Sequence, residues 1–320
     1  MYKSFYNLSR NPFELTPDPT CFVPTMRHNE ALAALYYGIR RHKGVVVVTG
    51  EVGTGKTLLL RCLLQLFKQS SEISYAYLYN CRLTPLEFLH YTVSDFGLSA
   101  ADENKSKLIL ELGRYVTSRG VKGLTTVLIV DEAHNLSPEL IEEIRLLSNL
   151  ETNDDKLLQI VLVGQPELDE KLDSFELRPM KQRIALRAHL DTLAPEETER
   201  YILERLTIAG AESRKSEVFS PEAIKAIHSF SRGTPRLINT ICENALINGY
   251  AKQMATITPD VIGEVAKDFH LNSNGWKLSR GMQPESLFLD RYSSIQRTRE
   301  SDAEVKTPIA VEAGKHEPDI

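Results

Sequence analysis

A glycine-rich run between two apolar segments constrains the fold of this chain more than any other feature. The run is Gly50–Thr57, with the sequence GEVGTGKT. Residues 45–49 before it are all Val or Thr, as expected of a buried parallel strand, and residues 58–64 after it have the composition of a helix. A strand, a glycine turn and a helix in this order place backbone N–H groups and a helix N-terminus around one point. This geometry binds phosphate.

The residues of this loop have separate predicted roles. Its glycines let the backbone approach phosphate closely. Lys56 is predicted to reach the β- and γ-phosphates of a nucleotide, and the Thr57 hydroxyl is predicted to bind Mg²⁺. The predicted nucleotide-binding residues are Gly50, Glu51, Val52, Gly53, Thr54, Gly55, Lys56, Thr57 and Leu58. The alternative is a chance match by an ordinary glycine turn, which the flanking strand and helix disfavour.

A second apolar strand ends in two carboxylates. Residues 127–130 are Val-Leu-Ile-Val, and Asp131 and Glu132 follow directly. Open parallel sheets bind ligands at the carboxyl ends of their strands, where the glycine loop also lies. Asp131 is predicted to hold Mg²⁺ through water, and Glu132 to polarise the water that attacks the γ-phosphate. A solvated acidic turn is the alternative. The letters of 131–134 also spell a helicase box, which we discount because no other helicase motif accompanies it.

Strand and helix signals alternate up to residue 190, and helices alone follow. The predicted strands are Val45–Thr49, Ser74–Asn80, Thr125–Asp131, Leu158–Gly164 and Ala185–Leu190. Helices are predicted near 29–41, 56–69, 85–97, 105–120, 137–150 and 167–172, and then at 195–209, 221–230, 235–253 and 258–269. Alternating strands and helices predict an α/β fold, a three-layer sandwich with a parallel sheet of the P-loop NTPase type.

The predicted domains follow from this change of pattern. Residues 1–194 form the nucleotide-binding α/β core, and 195–271 form a small all-α domain. Residues 272–320 are charged, contain prolines and have few large apolar side chains towards their end, so most of this tail is predicted to be disordered. Trp276 and the stretch 286–289 are its candidate anchoring points.

Composition narrows the cellular setting. The net charge is −5, which gives no general attraction to nucleic acid or anionic lipid. The four cysteines are scattered and form no C-x-x-C pair, so neither a zinc site nor a disulfide framework is predicted. The chain has no apolar signal segment and no run that could span a bilayer. We therefore expect a soluble cytoplasmic protein whose cofactors are ATP and Mg²⁺.

Several stretches in their order along the chain resemble the ExeA-type ATPases of the AAA+ class, which are named from general secretion pathway protein A. Besides the 127–132 strand they are Pro12–Pro19, Thr49–Thr57, Leu146–Thr152, Gly164–Leu168 and Ser231–Asn239. The resemblance covers roughly residues 1–271. It implies a Mg-ATP-dependent ATPase whose all-α domain is an AAA+ lid. It further implies ATP-dependent self-association, for instance as a hexamer, in the service of a bacterial secretion, export or pilus-type assembly.

The resemblance also implies roles for single residues. Asn80 matches a polar residue that touches the catalytic glutamate, with a turn asparagine as the alternative. Gln165 matches the sensor-1 position, which orients the attacking water, with a polar turn as the alternative. Arg183 matches the arginine finger, which acts on a neighbouring subunit's nucleotide. Arg178 and Arg187 compete for this role, and an ordinary surface arginine is also open.

Two further residues complete the implied site. Arg236 matches the sensor-2 position of the lid and stands in the first turn of a helix, where a cation opposes the helix dipole. Pairing with a phosphate would offset that disadvantage. Phe13 either packs near the adenine or anchors the core. Arg27 and His28 either border the base or belong to a solvated turn, and His134 is interpreted as structural.

One departure from the family pattern bears on location. Secretion-type members carry a transmembrane helix and a peptidoglycan-binding module after the lid, and this sequence shows neither. We therefore expect any coupling to the inner membrane to run through a partner protein.

Two alternative functions stay open. The first is an ATP-dependent DNA-binding helper of transposition type, which the basic cluster Arg40–Lys43 supports and the acidic net charge opposes. The second is an ATP-gated scaffold that does not hydrolyse ATP, which the Asp131–Glu132 pair disfavours.

Overall fold

The computed structural model describes residues 1–99, 104–211 and 215–271. These residues contain a five-stranded sheet with the order β2-β3-β4-β1-β5, in which all neighbouring strands are parallel. The strands are β1 Val45–Gly50, β2 Ile73–Leu78, β3 Thr125–Val130, β4 Leu158–Gly164 and β5 Ile184–Leu190. Each coincides with a predicted strand to within two residues at either end.

The helices also follow the predicted pattern. In chain order they are α1 Tyr2–Phe5, α2 Met26–Arg40, α3 Lys56–Lys68, α4 Pro85–Asp95, α5 Lys105–Val121, α6 Pro138–Leu147, α7 Glu167–Leu172, α8 Arg178–Lys181, α9 Pro195–Ile208, α10 Lys215–Val218, α11 Pro221–Ser231, α12 Pro235–Ala251 and α13 Pro259–Asp268. The sequence did not predict α1, α8 and α10, because one helical turn is too short to show a periodic pattern.

Capping residues fix where several helices begin. Ser137 and Ser220 each accept a hydrogen bond from the backbone N–H three residues ahead, and each precedes a proline in the first turn. Thr84 does the same and forms a reciprocal capping box with Glu87. Thr258 occupies the same position before α13 without a side-chain bond. These local bonds satisfy N–H groups that a helix leaves free at its start.

Successive side chains of β1 point to opposite faces of the sheet, so its valines are divided between the two faces. Val45 and Val47 belong to the apolar cluster under α4, α5 and α6, whereas Val46 and Val48 belong to the cluster under α2 and α3. Every residue of β1, β3 and β4 is buried, which explains why these strands read as continuous apolar runs. The three-layer α/β sandwich that the sequence predicted is therefore confirmed.

A third apolar cluster holds the helical region together and includes the beginning of the chain. Helices α9, α11, α12 and α13 supply most of it, and Tyr2, Tyr6 and Phe13 are buried in the same cluster. The buried Arg205 of α9 donates hydrogen bonds to the carbonyl oxygens of Pro12 at 2.6 Å and Cys21 at 3.1 Å. The N-terminal segment thus packs on the helical region, although the sequence analysis grouped it with the core.

The described residues belong to one compact unit. The division into a core and a lid at 194/195 stays a prediction. The predicted tail, 272–320, lies outside the described residues, as do its candidate anchors Trp276 and 286–289. Across the described ranges, we find no helix that is both long and apolar enough to cross a membrane.

Candidate functional site

The glycine loop between β1 and α3 is held from both sides. Gly53 and Gly55 have left-handed backbone conformations, with φ of 83° and 102°. A Cβ atom on Gly55 would lie 2.9 Å from Nε2 of His28, and one on Gly53 would lie 2.8 Å from Cβ of Arg236. Only glycine meets both requirements at these two positions. The loop is therefore clasped between helix α2, which carries His28, and helix α12, which carries Arg236.

Lys56 points its ammonium into this loop. The side chain is buried, and Nζ donates hydrogen bonds to the carbonyl oxygens of Gly50 at 2.7 Å and Glu51 at 2.9 Å. Burial lowers the pKa of Lys56, and the carboxylates of Glu132 and Asp131 oppose that shift. The cation lies at the start of α3, whose N-terminal N–H groups favour an anion. Loop, cation and helix end together fit a phosphate group.

Asp131 follows β3 and faces Thr57 across the site. Its Oδ2 accepts a hydrogen bond from the Tyr77 hydroxyl at 2.8 Å and lies 3.4 Å from the Thr57 hydroxyl oxygen. Its Oδ1 accepts the backbone N–H of Glu132 at 2.9 Å. The side-chain atoms of Thr57 and Asp131 that face each other are both oxygens, and Mg²⁺ prefers oxygen ligands. The two residues therefore fit their predicted role as metal ligands.

Tyr77 belongs to the site although the sequence analysis did not select it. Burial, followed by the charge of Asp131, raises the pKa of the Tyr77 hydroxyl, so the group stays a hydrogen-bond donor at neutral pH. The only sequence signal was its place near the carboxyl end of β2, where site residues of a parallel sheet gather. The described part of the chain contains no cluster of three or more His, Cys, Asp or Glu side chains suited to a metal, at this site or outside it.

Glu132, His134 and Gln165 meet at the edge of the site. Oε2 of Glu132 lies 3.6 Å from Nδ1 of His134, and Nε2 of His134 lies 3.0 Å from the side-chain nitrogen of Gln165. Glu132 has a left-handed backbone with φ of 53°, which is uncommon for a residue other than glycine. Burial lowers the pKa of His134, so the ring is neutral at pH 7. His134 thus lies between Glu132 and Gln165, the two groups that are predicted to act on the attacking water.

Asn80 lies apart from this cluster. The side chain is exposed, and its Oδ1 accepts the backbone N–H of Arg82 at 3.0 Å. This is the turn asparagine that the sequence analysis gave as the alternative. The contact with Glu132 that the family resemblance implied for Asn80 stays a prediction.

Arg236 of the helical region lies against the glycine loop. Its backbone N–H donates to the carbonyl oxygen of Gly53 at 3.2 Å. The turn that leads to it docks on the segment after β5, where the Leu193 N–H donates to the Gly233 carbonyl at 2.8 Å. Gly233 has φ of 72°, and a Cβ there would overlap the Leu193 carbonyl. This packing brings a cation from the helical region beside the phosphate loop.

A cavity of about 640 Å³ opens between the start of α2, the segment after β5 and the end of α11. Its lining includes Thr25, Arg27, Leu193, His228 and Arg232. Its volume is within the range of small-molecule sites. The cavity is thus a candidate small-molecule site.

Three residues with a possible predicted place near the base lie in different parts of the structure. They are Arg27, His28 and Phe13. Arg27 lines the cavity, and the buried His28 supports the loop instead. Phe13 is completely buried and packs edge-to-face on Phe219 with ring centroids 6.0 Å apart. Phe13 therefore occupies the anchoring role, one of its two predicted alternatives, and contact with an adenine stays a prediction.

The three candidate finger arginines stand at the start of α8, directly before β5 and within β5. Arg183 directly precedes β5, whose first residue, Ile184, pairs with Val45 at the start of β1, whereas the glycine loop follows the end of β1. Arg187 is bound by Asp169 at 2.6 Å and Asp173 at 3.3 Å. Arg178 is exposed at the start of α8. The ion pairs of Arg187 make it the weakest of the three candidates.

Comparison with known proteins agrees with this geometry. A phosphate loop at the end of the first strand, an Asp-Glu pair at the end of the third and a helical region with an arginine beside the loop define a P-loop ATPase of the AAA+ class. The family model described as "AAA domain" matches residues 39–172. This part of the chain is therefore an AAA domain.

Its sequence also matches a protein of a secretion pathway. The chain is 42% identical over 253 residues to General secretion pathway protein A of Aeromonas hydrophila. The match covers 79% of this chain and 45% of that protein, so the chain spans less than half of its relative's length. The resemblance to the ExeA-type ATPases that the motifs indicated is therefore confirmed.

Solved structures share the fold at low sequence identity. The ORC2 protein of Aeropyrum pernix superposes with a TM-score of 0.59 at 16% identity, over 87% of this chain and 74% of that one. Cdc6p of Pyrobaculum aerophilum gives 0.55 at 18% identity, over 89% and 73%. The RuvB branch migration motor of Thermotoga maritima gives 0.52 at 18% identity, over 80% and 73%. These likenesses bear on the fold alone.

Proposed function

We propose that this protein binds Mg·ATP and hydrolyses it to ADP and phosphate. The observation that carries the proposal is the convergence of Lys56, Thr57, Asp131 and Glu132 at the carboxyl ends of β1 and β3, with Arg236 alongside. These groups supply a cation for the phosphates, oxygen ligands for Mg²⁺ and a carboxylate for water. The bound Mg²⁺ would neutralise the charge that develops on the β- and γ-phosphates.

The residues divide the chemistry between them. Lys56 and the loop N–H groups hold the phosphates, and Thr57 and Asp131 orient the metal. Of the two carboxylates, Asp131 is the one that contacts Thr57 and Tyr77. Glu132 is therefore available to accept a proton from the attacking water. Arg236 would add positive charge from the helical region, and Gln165 would orient the water.

Two variants test this assignment. Lys56→Ala should lose ATP binding, because no other group replaces the charge-assisted contact with phosphate. Lys68→Ala is the matched control, since Lys68 is exposed at the far end of the same helix. Glu132→Gln should bind ATP with wild-type affinity and lose turnover, because only activation of the water is removed. Equilibrium binding of a fluorescent ATP analogue and phosphate release measure the two properties. Turnover by Glu132→Gln at the wild-type rate would contradict the role of Glu132.

We further propose that ATP turnover drives or switches a bacterial envelope assembly of the secretion, export or pilus type. Similarity to General secretion pathway protein A supports this. Co-sedimentation with inner-membrane vesicles from the host cell tests it. We expect binding that requires ATP, depends on a membrane protein and disappears in Lys56→Ala. Equal sedimentation with protein-free lipid vesicles, or none in any nucleotide state, would contradict the proposal.

The structure weakens the DNA-binding alternative. Arg40 is paired with Glu72 at 2.6 Å, which removes one charge from the basic cluster, although Arg41 and Lys43 are exposed. We expect affinity for long duplex DNA no better than about 10⁻⁴ M at physiological salt, the weak end of non-specific binding. A fluorescence anisotropy titration with and without ATP checks this. Micromolar binding that needs ATP, and that Arg41→Ala with Lys43→Ala weakens, would favour the transposition-type function instead.

A further inference from the structure

Phe175 is the most exposed aromatic side chain in the part of the chain that the structure describes. It stands in the short connection between α7 and α8, and 86% of its surface is exposed. The connection itself is held in place. Leu172 and Leu177 on either side of it are buried in the apolar cluster under α4, α5 and α6, and Asp173 is bound by Lys181 at 3.0 Å. An anchored backbone thus presents Phe175 to solvent.

An apolar groove of about 420 Å³ lies between α2 and α3. Its apolar lining includes Leu32, Ala33, Tyr36, Leu66 and Ile73. Tyr36 and Leu66 are 40% and 41% exposed, so the groove leaves apolar surface in contact with water. Burial of that surface against an aromatic side chain is favourable, because both partners leave water. The groove therefore fits a side chain such as phenylalanine.

Phe175 and the groove belong to opposite faces of the sheet. The buried side chains next to Phe175 pack under α4, α5 and α6, whereas α2 and α3 cover the other face. Phe175 cannot cross the sheet of its own chain, so a contact between it and the groove joins two copies. Such a contact uses a different surface on each copy. Repeated head-to-tail, it builds a ring or a filament.

The charges beside the two surfaces are complementary. Glu176, the neighbour of Phe175, is exposed and forms no ion pair with any described residue. Lys68, the neighbour of the groove residue Gln69, is also exposed and forms no ion pair within the described ranges. Arg40 adds a second cation to the lining of the groove. A carboxylate beside the aromatic ring and cations beside the groove favour docking of one surface on the other.

The same contact can bring the predicted finger to a neighbouring ATP site. Along α3, the groove residue Leu66 lies about 15 Å from Lys56. Arg183 follows Phe175 along the chain, with α8 between them, so the chain that joins these two residues spans at most about 20 Å. A copy that inserts Phe175 into the groove can therefore reach the phosphate loop at the other end of α3.

We propose that Phe175 of one copy inserts into the groove between α2 and α3 of the next copy. The contact sets the spacing at which Arg183 of the first copy meets the ATP that is bound to the second. This consequence rests on the proposed function, whereas the contact itself does not. The ATP site is then complete only where two copies meet.

A disulfide between two differently tagged copies tests the contact directly. One copy carries Phe175→Cys and the other Ala33→Cys, both in a Cys62→Ser background, because the other three cysteines are buried. We expect oxidation by oxygen with a copper catalyst to link the two copies in the presence of ATP. In the control, Val121→Cys replaces Phe175→Cys, since Val121 is 85% exposed at the end of α5. No link with Phe175→Cys, or an equal yield with Val121→Cys, would overturn the inference.

The consequence for catalysis is tested with smaller side chains. We expect Phe175→Ser and Leu66→Ser each to raise the protein concentration for half-maximal ATPase activity at least about tenfold, because each removes apolar surface from the contact. ATP affinity should stay at the wild-type value in both, and Val121→Ser should change neither property. An unchanged dependence on protein concentration in both variants would also overturn the inference.

Two further outcomes separate this inference from its alternatives. Loss of binding to inner-membrane vesicles in Leu66→Ser, with self-association unaltered, would assign the groove to a partner protein and overturn the contact between copies. Absence of ATP turnover in the wild-type protein would overturn the proposed function instead. The disulfide between Phe175→Cys and Ala33→Cys would still decide whether the two copies meet at the groove, because its formation requires no hydrolysis.

Discussion

At the scale of single residues, the glycine loop depends on a buried histidine from another helix. Nε2 of His28 lies 3.0 Å from the Thr54 carbonyl oxygen, and Nδ1 lies 2.7 Å from the Thr25 hydroxyl. Burial lowers the pKa of His28, whereas the bond to Thr54 opposes the shift. The folded protein therefore binds a proton here less readily than the unfolded chain, whose histidines titrate near about 6.5.

The stability of the folded protein therefore depends on pH through His28. The contribution of His28 to stability is complete above about pH 6.5 and is lost as the pH falls towards its lower folded pKa. We expect His28→Gln to flatten the decline of the free energy of unfolding between about pH 7 and 5. Some decline should persist, because burial also lowers the pKa of His134. Urea unfolding of both proteins at several pH values measures the difference, and identical slopes would contradict the assignment.

Tyr77 gives a second prediction at this scale. Tyr77→Phe removes the hydrogen bond to Asp131 and keeps the ring. Partners that orient a metal ligand are worth roughly 10- to 100-fold in metal affinity or activity. We expect the Mg²⁺ concentration for half-maximal ATPase to rise by about tenfold, with little change in nucleotide binding without metal. Tyr75→Phe, on the same strand and packed against Phe67, is the control. An unchanged Mg²⁺ dependence would show that Tyr77 does not orient Asp131.

The sequence predicted those site residues that belong to a contiguous motif. Lys56 and Asp131 could be placed because each stands at a fixed step from the end of an apolar strand, and strand ends meet at one edge of a parallel sheet. Tyr77 and the ring of His134 could not be assigned contacts in this way. Asp131, the partner of Tyr77, follows another strand, and so does Gln165, a partner of His134. The approach of two side chains across a sheet depends on register and rotamer.

At the scale of elements, a buried hydroxyl links the first strand to the helix that follows Gln165. Oγ1 of Thr49 donates to Oδ2 of Asp169 in α7 at 2.6 Å and lies 3.0 Å from Nδ1 of His189 in β5. Arg187 holds the other oxygen of Asp169 at 2.6 Å. The last residue of β1 before Gly50 thus holds the first turn of α7, the helix that begins two residues after Gln165.

We therefore expect Thr49→Val to affect catalysis more than ATP binding. The valine keeps the shape of the side chain but loses the hydrogen bond, which should lower the free energy of unfolding by about 1 kcal/mol. The kcat should fall while KM changes little, because α7 is no longer fixed to β1. Thr207→Val is the control, since its hydroxyl bonds to Leu203 within α9. An unaltered kcat together with a lowered stability would limit Thr49 to a structural role.

A helix or strand could be predicted from the sequence when its apolar residues recur with a regular period. The valine run of β1 and the serine-proline starts of α6 and α11 mark their elements in the sequence. The packing of Tyr2, Tyr6 and Phe13 on the helical region was not predictable. These side chains stand in a segment with prolines and no regular period, and their partners are some 200 residues away, as the Tyr2–Glu243 hydrogen bond shows.

At the scale of the whole molecule, the sheet keeps the candidate finger away from its own nucleotide loop. Arg183 stands directly before β5, beside the start of β1, and the loop begins at Gly50, the sixth residue of β1. Six residues of parallel strand extend about 17 Å, far beyond a hydrogen bond. Arg183 can therefore serve an ATP site only in a second copy of the chain. The role of Arg183 in trans therefore stays a prediction.

Complementation between two inactive variants tests the role in trans. Arg183→Ala lacks the finger but keeps Glu132, and Glu132→Gln lacks the base but keeps Arg183. At an interface between the two, one site has both groups, so mixing them should restore part of the ATPase activity. Arginine fingers are worth about 10³ to 10⁵ in rate, and we expect less here where the free protein is poorly assembled.

Arg178→Ala serves as the comparison, because Arg178 is the other candidate without the ion pairs of Arg187. Recovery with Arg178→Ala in place of Arg183→Ala would move the finger to Arg178. No recovery at any ratio, together with a monomer in sedimentation with ATP, would exclude a finger acting between copies.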